Sequence, residues 1–527
     1  MSKLNDKKSL TDNSVKNKRI YFLLIIFIVA FLVRIAGISR PAVFHATKHY
    51  MTALISRSFF LNSNEHKDDI GRMPAIIYQQ HRNKITPEIN EKLIYQMYRI
   101  AGKEDIIIPE IISVIYWLLG GLIIYKIALL LFNPAGALIS LIFYLFFPFG
   151  INISRSIQSE SLLNMFFLWS ALQIIKHFRS KDETKYFYSA AILSGFAVLI
   201  KITVIFPLLG LILFLGINKY GLKKYLYNPR TIWFFTIFFS IGTSFYIYNM
   251  LWNKALRGAV ATIIYHRMIL TPFFWIGWVT QIGKVTGIIP FIIGIILFFT
   301  IRKKELKFII SGLFVGYILY GLIFSYTTAT HDYYHLVLFP ITALMLGQIG
   351  ILIKNKAKIK SIIVFSTLIA FVIFSLWHQY TFIKWAHNMK GYSPAFFLVG
   401  EQGSYFTNNV VEKDIWGNSF KAGELIDHGI NNILLSKAYG TAAMYYGKFF
   451  GIPWPTEDDS FYLKIKNKRI LGVKELFYSK YTPNNPKFFI ITDLESWGKQ
   501  PDLQKFLRKK FKVFAEEKEF IIFSLRK

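Results

Sequence analysis

Cysteine is absent from all 527 residues. That excludes disulfides, thiolate metal sites and thiol nucleophiles. Acidic residues are scarce, with 30 Asp and Glu against 62 Lys and Arg, a net charge of +32. Such a surplus would suit nucleic acid if it were clustered. Here the basic residues are dispersed at the ends of apolar runs and in short loops, where anionic headgroups and topology account for them, so no nucleic-acid partner is expected. Charge is also sparse inside the long apolar runs, and Arg34 alone is a thin set. A transporter would be expected to place polar residues deep within its spans. What the chain does have is apolar surface: 54% hydrophobic residues, 51 Phe and a mean hydropathy of +0.39. Runs of 18 or more apolar residues recur, so the lipid bilayer is its expected solvent.

The topology can be walked out as about eleven spans. Residues 1–20 are polar and basic and read as a cytoplasmic tail; residues 21–38 read as the first span rather than a cleaved signal. A long outer loop, 39–105, follows. Span two ends near Lys126, span three near Gly150, and span four at the basic run from Lys176 to Lys185. Spans five and six form a hairpin turning at Lys201 and return to Lys219, Lys223 and Lys224. Span seven exits near Tyr246, span eight returns to Arg302–Lys307, span nine exits near Tyr326, span ten returns to Lys354–Lys360, and span eleven exits near Trp377. The inward loops are strongly basic, as the positive-inside rule requires. The expected location is the plasma membrane, with a cytoplasmic N-terminus and a membrane domain over 21–377.

Residues 378–527 contain no span and are expected outside the cell as a small α/β domain. Residues 432–435, 487–492 and 519–524 read as strands, and 502–511 as an amphipathic helix. This tail shows no phosphate loop, metal cluster or triad, which suits a lid or acceptor-recognition role.

The polar clusters fall on one face. The first loop contains Phe44-His-Ala-Thr-Lys48-His49-Tyr50 and Arg57, and residues 37–64 hold no Asp or Glu. So basic a surface suits an anionic ligand such as phosphate. Later in the loop, Pro87 is expected to start a helix in which Glu88 and Glu91 share one face. They are also ordinary first-turn acids of the kind a helix dipole favours. The turn after span three carries Ser154-Arg155-Ser-Ile-Gln158 and Glu160. Arg155 and Lys201 suit either a phosphate or headgroup snorkelling. An outer segment carries Arg257, His266 and Arg267, with Trp275 and Trp278 as an interfacial belt. His331-Asp332-Tyr333-Tyr334-His335 is the densest hydrogen-bonding cluster.

These segments, together with Pro87-Glu-Ile-Asn-Glu and Trp117-Leu-Leu-Gly120-Gly121, resemble the C-type glycosyltransferase superfold. Within it the chain is most similar to bacterial relatives of the protein O-mannosyltransferases and the lipid A aminoarabinose transferase. The resemblance implies a polytopic α-helical membrane enzyme that transfers a hexosyl or pentosyl group with inversion. Its donor would be a polyprenyl-phosphate or polyprenyl-diphosphate sugar entering from the membrane. The acceptor, a protein, lipid or glycan, would come from the outer aqueous side. Members usually carry an acid early in the first loop as general base, where this chain has Lys48 and His49. Inverting transfer needs a base at the acceptor hydroxyl and cations at the leaving phosphate. Glu88, Glu91 and Asp332 are the candidate bases, with His49 as a further one. Arg57, Arg155, Lys201, Arg267 and His331 are candidates for the donor phosphate, and Lys48, Tyr50, Tyr333 and Tyr334 for contacts to substrate. A divalent cation on Glu88, Glu91, His331 and Asp332 is possible, though no spacing is diagnostic.

Other classes stay open. A flippase or polymerase for lipid-linked sugars would share the basic outer surface, but a flippase should carry charges inside several spans. A catalytically degenerate scaffold would follow from the missing first-loop acid.

Overall fold

The computed structural model describes residues 2–36, 45–62, 69–82, 84–180, 183–353, 418–456 and 471–526, with Ile38, Ser39, Ala42, Ser366 and Arg469 besides. The eleventh expected span and the loop from Lys354 to Lys360 lie outside the described residues, as do Arg40 and Phe44.

Among the described residues the membrane part is helical. Helix α1 covers Ser2–Ile35, so the basic tail and first apolar run are continuous. The first loop folds into α2 (Ala46–Leu61), α3 (Arg72–His81) and α4 (Ile89–Ala101). Then come α5 (Ile107–Leu131), α6 (Pro134–Phe146), α7 (Pro148–Arg155), α8 (Glu160–Arg179), α9 (Glu183–Ile200) and α10 (Ile205–Tyr220). After the short α11 (Leu222–Leu226) follow α12 (Pro229–Trp252), α13 (Lys254–Ile263), α14 (Pro272–Thr286), α15 (Ile288–Phe299), α16 (Lys304–Ile323), α17 (Ser325–Thr330) and α18 (Leu338–Gly347).

The expected spans two, six, seven and nine fall on α5, α10, α12 and α16, and the third and eighth on the bent pairs α6–α7 and α14–α15. Four helices are long and apolar enough to cross a membrane, or six if the bent pairs α6–α7 (54°) and α14–α15 (92°) each count as one. The apolar stretches of α9 and of the helices from Leu338 to Leu352 are shorter. The first bend lies at Pro148, which cannot continue the ladder of α6. The buried Arg34 guanidinium holds the bend by donating to Ser154 Oγ (2.8 Å) and to the carbonyls of Ala30 (2.9 Å) and Leu145 (2.7 Å). Arg34 is thus a structural clamp. Trp117 stacks on Tyr144 (4.8 Å), and a Cβ at Gly120 would collide with the Tyr144 hydroxyl. That close approach is why glycine stands there.

The bundle has two chemically distinct ends. Helix α8 begins at Glu160 and ends at Lys176, His177 and Arg179. Its 20 residues put about 30 Å between the two. Helices α9 and α10 run from the basic end to Lys201 and back to Lys219, and α16 runs from Lys304 towards His331 and Asp332. Arg179 pairs with Glu305 (2.6 Å) at the basic end. The acidic–cationic cluster therefore gathers at the other.

The described residues between 418 and 526 build a five-stranded sheet with strands β1 (Asn432–Leu435), β2 (Gly451–Pro453), β3 (Phe488–Ile491), β4 (Lys512–Glu516) and β5 (Ile521–Ser524), in the order β2-β1-β3-β5-β4. Strand β1 runs parallel to β2 and β3, while β5 is antiparallel to β3 and β4. Alternation along the strands sends Leu434, Ile490 and Ile522 to one face, where they join Tyr50, Ala53 and Leu54 of α2 in one core. Ile433, Phe489 and Phe523 face the other way, onto Trp497, Leu503 and Leu507. The sheet thus rests on the first-loop helices. Strands β1, β3 and β5 fall where the sequence places them, as does the helix Pro501–Lys510. Strand β4, with an irregularity between Val513 and Ala515, and the three-residue β2 carry too little apolar pattern to be read from sequence.

Candidate active site at the polar end of the bundle

Lys201 stands at the break between α9 and α10, in extended backbone (φ −156°). Its ammonium meets the Glu160 carboxylate at 2.9 Å and lies over the rings of Tyr334 (4.4 Å) and Tyr333 (4.8 Å). Glu160 occupies the first turn of α8, where the helix dipole favours an acid. Both residues are buried, and a buried charge needs such a partner. Lys48, half-buried in the first turns of α2, completes the group. Burial lowers its pKa. Glu160 opposes that, Lys201 and Arg82 add to it, and Glu91 opposes it. These five charged residues thus share one electrostatic environment.

Asp332 is the second focus. Its carboxylate takes a bond from the backbone N–H of Tyr333 (2.6 Å) and meets His45 Nε2 at 2.9 Å. The other nitrogen of His45, Nδ1, lies 3.2 Å from the Gln158 side-chain nitrogen. With Gln158 donating, His45 is a neutral imidazole that donates to Asp332. His45 holds a left-handed conformation (φ 52°), unusual for a residue with a Cβ. The Thr330 hydroxyl sits 2.6 Å from Nδ1 of its sequence neighbour His331. Burial pushes the His331 imidazole down to about 4; Asp332 opposes this, while Lys48, His45 and Lys201 add to it. His335 bonds Tyr317 (2.6 Å) and the Thr328 carbonyl (2.8 Å), so it braces the turn.

The third focus is Arg82, which lies 3.8 Å from Glu88 and 4.0 Å from Glu91. Helix α4 begins at Ile89 with Glu88 in the capping position, two residues later than Pro87 suggests. Burial raises the Glu91 carboxyl above its ordinary pKa, with Arg82 opposing.

Lys48, Glu91, Lys201, His331, Asp332, Tyr333 and Tyr334 are thus brought together, with Glu88 beside them through Arg82. Other expected site residues lie elsewhere. His49 is fully buried between Glu110 (3.6 Å) and the Ile157 N–H (3.5 Å), and burial pushes its imidazole down to about 3, with Arg155 adding to the effect. Arg155 belongs to that neighbouring patch. Arg57 is clamped by Glu104 (2.9 Å) and the Tyr445 carbonyl (2.6 Å) and stacks on the Tyr445 ring (3.9 Å). Tyr50 is fully buried with its hydroxyl 2.9 Å from that of Tyr446. Arg57 and Tyr50 join α2 to the sheet region. Arg267 is exposed in the one-turn helix His266–Leu270. Among the described residues no group of three or more His, Asp or Glu side chains is placed to hold a metal ion, so Glu88, Glu91, His331 and Asp332 do not form a ligand set.

Sequence reasoning missed Arg82, His45, Glu160 and Gln158 as members of the site. An acid opening a span in so basic a chain was a usable signal for Glu160. Arg82 lies in an unremarkable polar stretch.

Comparisons with known proteins agree with this architecture. Residues 93–237 match the family model of dolichyl-phosphate-mannose-protein mannosyltransferases. The fold is similar to that of ArnT from Cupriavidus metallidurans bound to undecaprenyl phosphate: TM-score 0.57 and 13% identity over 95% of this chain and 98% of that one. ArnT in the apo state matches alike, with TM-score 0.57. The Archaeoglobus fulgidus oligosaccharyltransferase in complex with zinc and sulfate matches with TM-score 0.45 and 11% identity, over 89% of this chain and 68% of that one. No curated protein sequence matches. The chain thus shares the fold of ArnT, and four to six of its helices are apolar and long enough to cross a membrane. Its segment 93–237 matches the mannosyltransferase family model, in line with the resemblance read from the sequence.

Proposed function

We propose that this protein is an inverting glycosyltransferase that moves a sugar from a polyprenyl-phosphate donor to an acceptor hydroxyl. The observation that carries the reading is the convergence of Lys48, Arg82 and Lys201 with Glu91, Glu160 and Asp332 at one end of the bundle. The ArnT fold, crystallised with undecaprenyl phosphate, supports a lipid phosphate as ligand. The donor phosphate sits against Lys48 and Lys201, and Tyr333 and Tyr334 flank the sugar. The acceptor oxygen attacks the anomeric carbon from the face opposite the phosphate. The bond from that carbon to the phosphate oxygen breaks, and its electron pair leaves on the phosphate, where the cations stabilise it. Asp332 takes the acceptor proton, held in place by His45 as a base is held by its orienting partner. Glu91 is the second candidate base, because its raised pKa moves it towards the operating pH.

The same reading has eleven spans, a cytoplasmic N-terminus and the reaction on the outer face of the plasma membrane, with the 378–527 region as an extracytoplasmic α/β domain over the site. Purified protein given radiolabelled polyprenyl-phosphate sugars and a membrane-extract acceptor tests it. Asp332→Asn should lower transfer by about 10²–10⁴-fold with donor binding retained. Full transfer by Asp332→Asn with loss in Glu91→Gln moves the base to Glu91. Donor binding without transfer by the wild type would indicate a degenerate protein.

A further inference from the structure

Two adjoining cavities open at the basic end of the bundle, far from the site above. One encloses about 560 Å³ among α8, α9, α10 and the start of α12, and the other about 330 Å³ between α9 and α12. His177, Phe187 and Arg230 line both. The inner wall is aromatic: Phe178, Tyr220 and Tyr225 lie within 6.0–6.4 Å of one another, and His177 meets Phe187 edge-on at 5.6 Å. The rim is amphipathic. Leu222, Leu226, Tyr227, Trp233 and Tyr188 are exposed apolar side chains, and Lys223 and Lys224 are exposed between the two leucines.

We infer that these cavities bind the phosphate headgroup of an anionic membrane lipid, with its acyl chains lying along the exposed apolar rim. A free phosphate has no use for a leucine and tryptophan collar, and a neutral amphiphile has no use for the cations Arg230, Lys223 and Lys224. Basic pockets between membrane helices are suited to phospholipid headgroups, and exposed Trp and Tyr suit the headgroup level. Asn228 already caps the first turn of α12 through the Arg230 N–H (2.9 Å), so the side chains of Arg230, which lines both cavities, and of Lys223 and Lys224 on the adjoining α11 carry the recognition rather than the helix end. Arg179 and Glu305 pair with each other at the same end of the bundle.

The test uses full-length protein in phosphatidylcholine nanodiscs with and without phosphatidylglycerol, with retained lipid read by native mass spectrometry. Wild type should retain phosphatidylglycerol over phosphatidylcholine. Lys224→Gln/Arg230→Gln should weaken that preference about thirtyfold, the factor for two Lys or Arg side chains at a membrane surface. Arg230→Gln alone, an exposed position, should weaken it by about five- to sixfold on the same scale and serves if the double variant folds poorly. Gly216→Leu, which would push the Tyr225 ring out of the wall, should also lower retention without changing charge. Equal retention of the two lipids, unchanged preference in the variants, or displacement by inorganic phosphate alone would each overturn the inference. The readout involves no sugar transfer, so it stands or falls apart from the proposed reaction.

Discussion

The Lys201–Glu160 pair offers the sharpest separation of folding from function. Both side chains are buried, 2.9 Å apart, with Lys201 also over two tyrosine rings. Lys201→Met keeps the length and removes the charge. It leaves the Glu160 carboxylate buried without its cation, which costs about 3–5 kcal/mol. The lost cation–π contacts add roughly 0.5–2 kcal/mol. Replacing both members by neutral groups of similar size is often close to neutral. Lys201→Met/Glu160→Gln should therefore regain most of the stability that Lys201→Met loses. Donor-lipid binding should not return, because the cation that faces the phosphate is still missing. Thermal unfolding in detergent reads the first effect, and binding of a polyprenyl phosphate reads the second. A single variant as stable as wild type would refute the buried pair. A double variant that binds donor as well as wild type would refute the role of Lys201 at the phosphate.

Other consequences follow from the same geometry. The His49 imidazole is held neutral, with its pKa at about 3 against an ordinary 6.5, so its contribution to stability is present above pH 6.5 and lost as pH falls towards 3; the full shift corresponds to roughly 5 kcal/mol. Unfolding of His49→Gln should therefore lose pH dependence in that window, and an unchanged slope would contradict the assignment. Arg57→Met leaves Glu104 without its partner and removes the tie to Tyr445, so limited proteolysis should release the 418–526 region faster than in wild type. Gly120→Val forces a side chain into the Tyr144 hydroxyl and should destabilise the α5–α6 packing by about 1–3 kcal/mol in unfolding experiments. His45→Ala should lower kcat for transfer without changing donor affinity, since His45 acts through Asp332; equal loss of both would make His45 a donor contact instead.

Much of the membrane architecture was legible because apolar run length and basic loop placement are local properties. The hairpin at Lys201 and the turn from His331 to Tyr334 could be singled out for the same reason: polar residues at the mouth of an apolar span are conspicuous. What could not be read was which polar residues meet. Arg57 and Tyr50 look like site residues in a basic loop, yet α2 turns them towards Tyr445 and Tyr446, nearly 400 residues later in sequence. Arg82 reaches Glu91 because α3 and α4 both pack on α2, which brings the end of one close to the start of the other. His49 and Lys48 are neighbours in sequence, but the helix sends one into the core and leaves the other at the cluster.

The central claim is that the cluster around Lys48 and Lys201 receives a lipid phosphate. Direct binding of undecaprenyl phosphate to purified protein, measured for wild type and for Lys48→Gln, tests it most simply. The account predicts saturable binding by wild type that weakens at least tenfold in Lys48→Gln, the loss of one charge-assisted phosphate contact of about 1.5–3 kcal/mol. Equal affinity in the two proteins would contradict it.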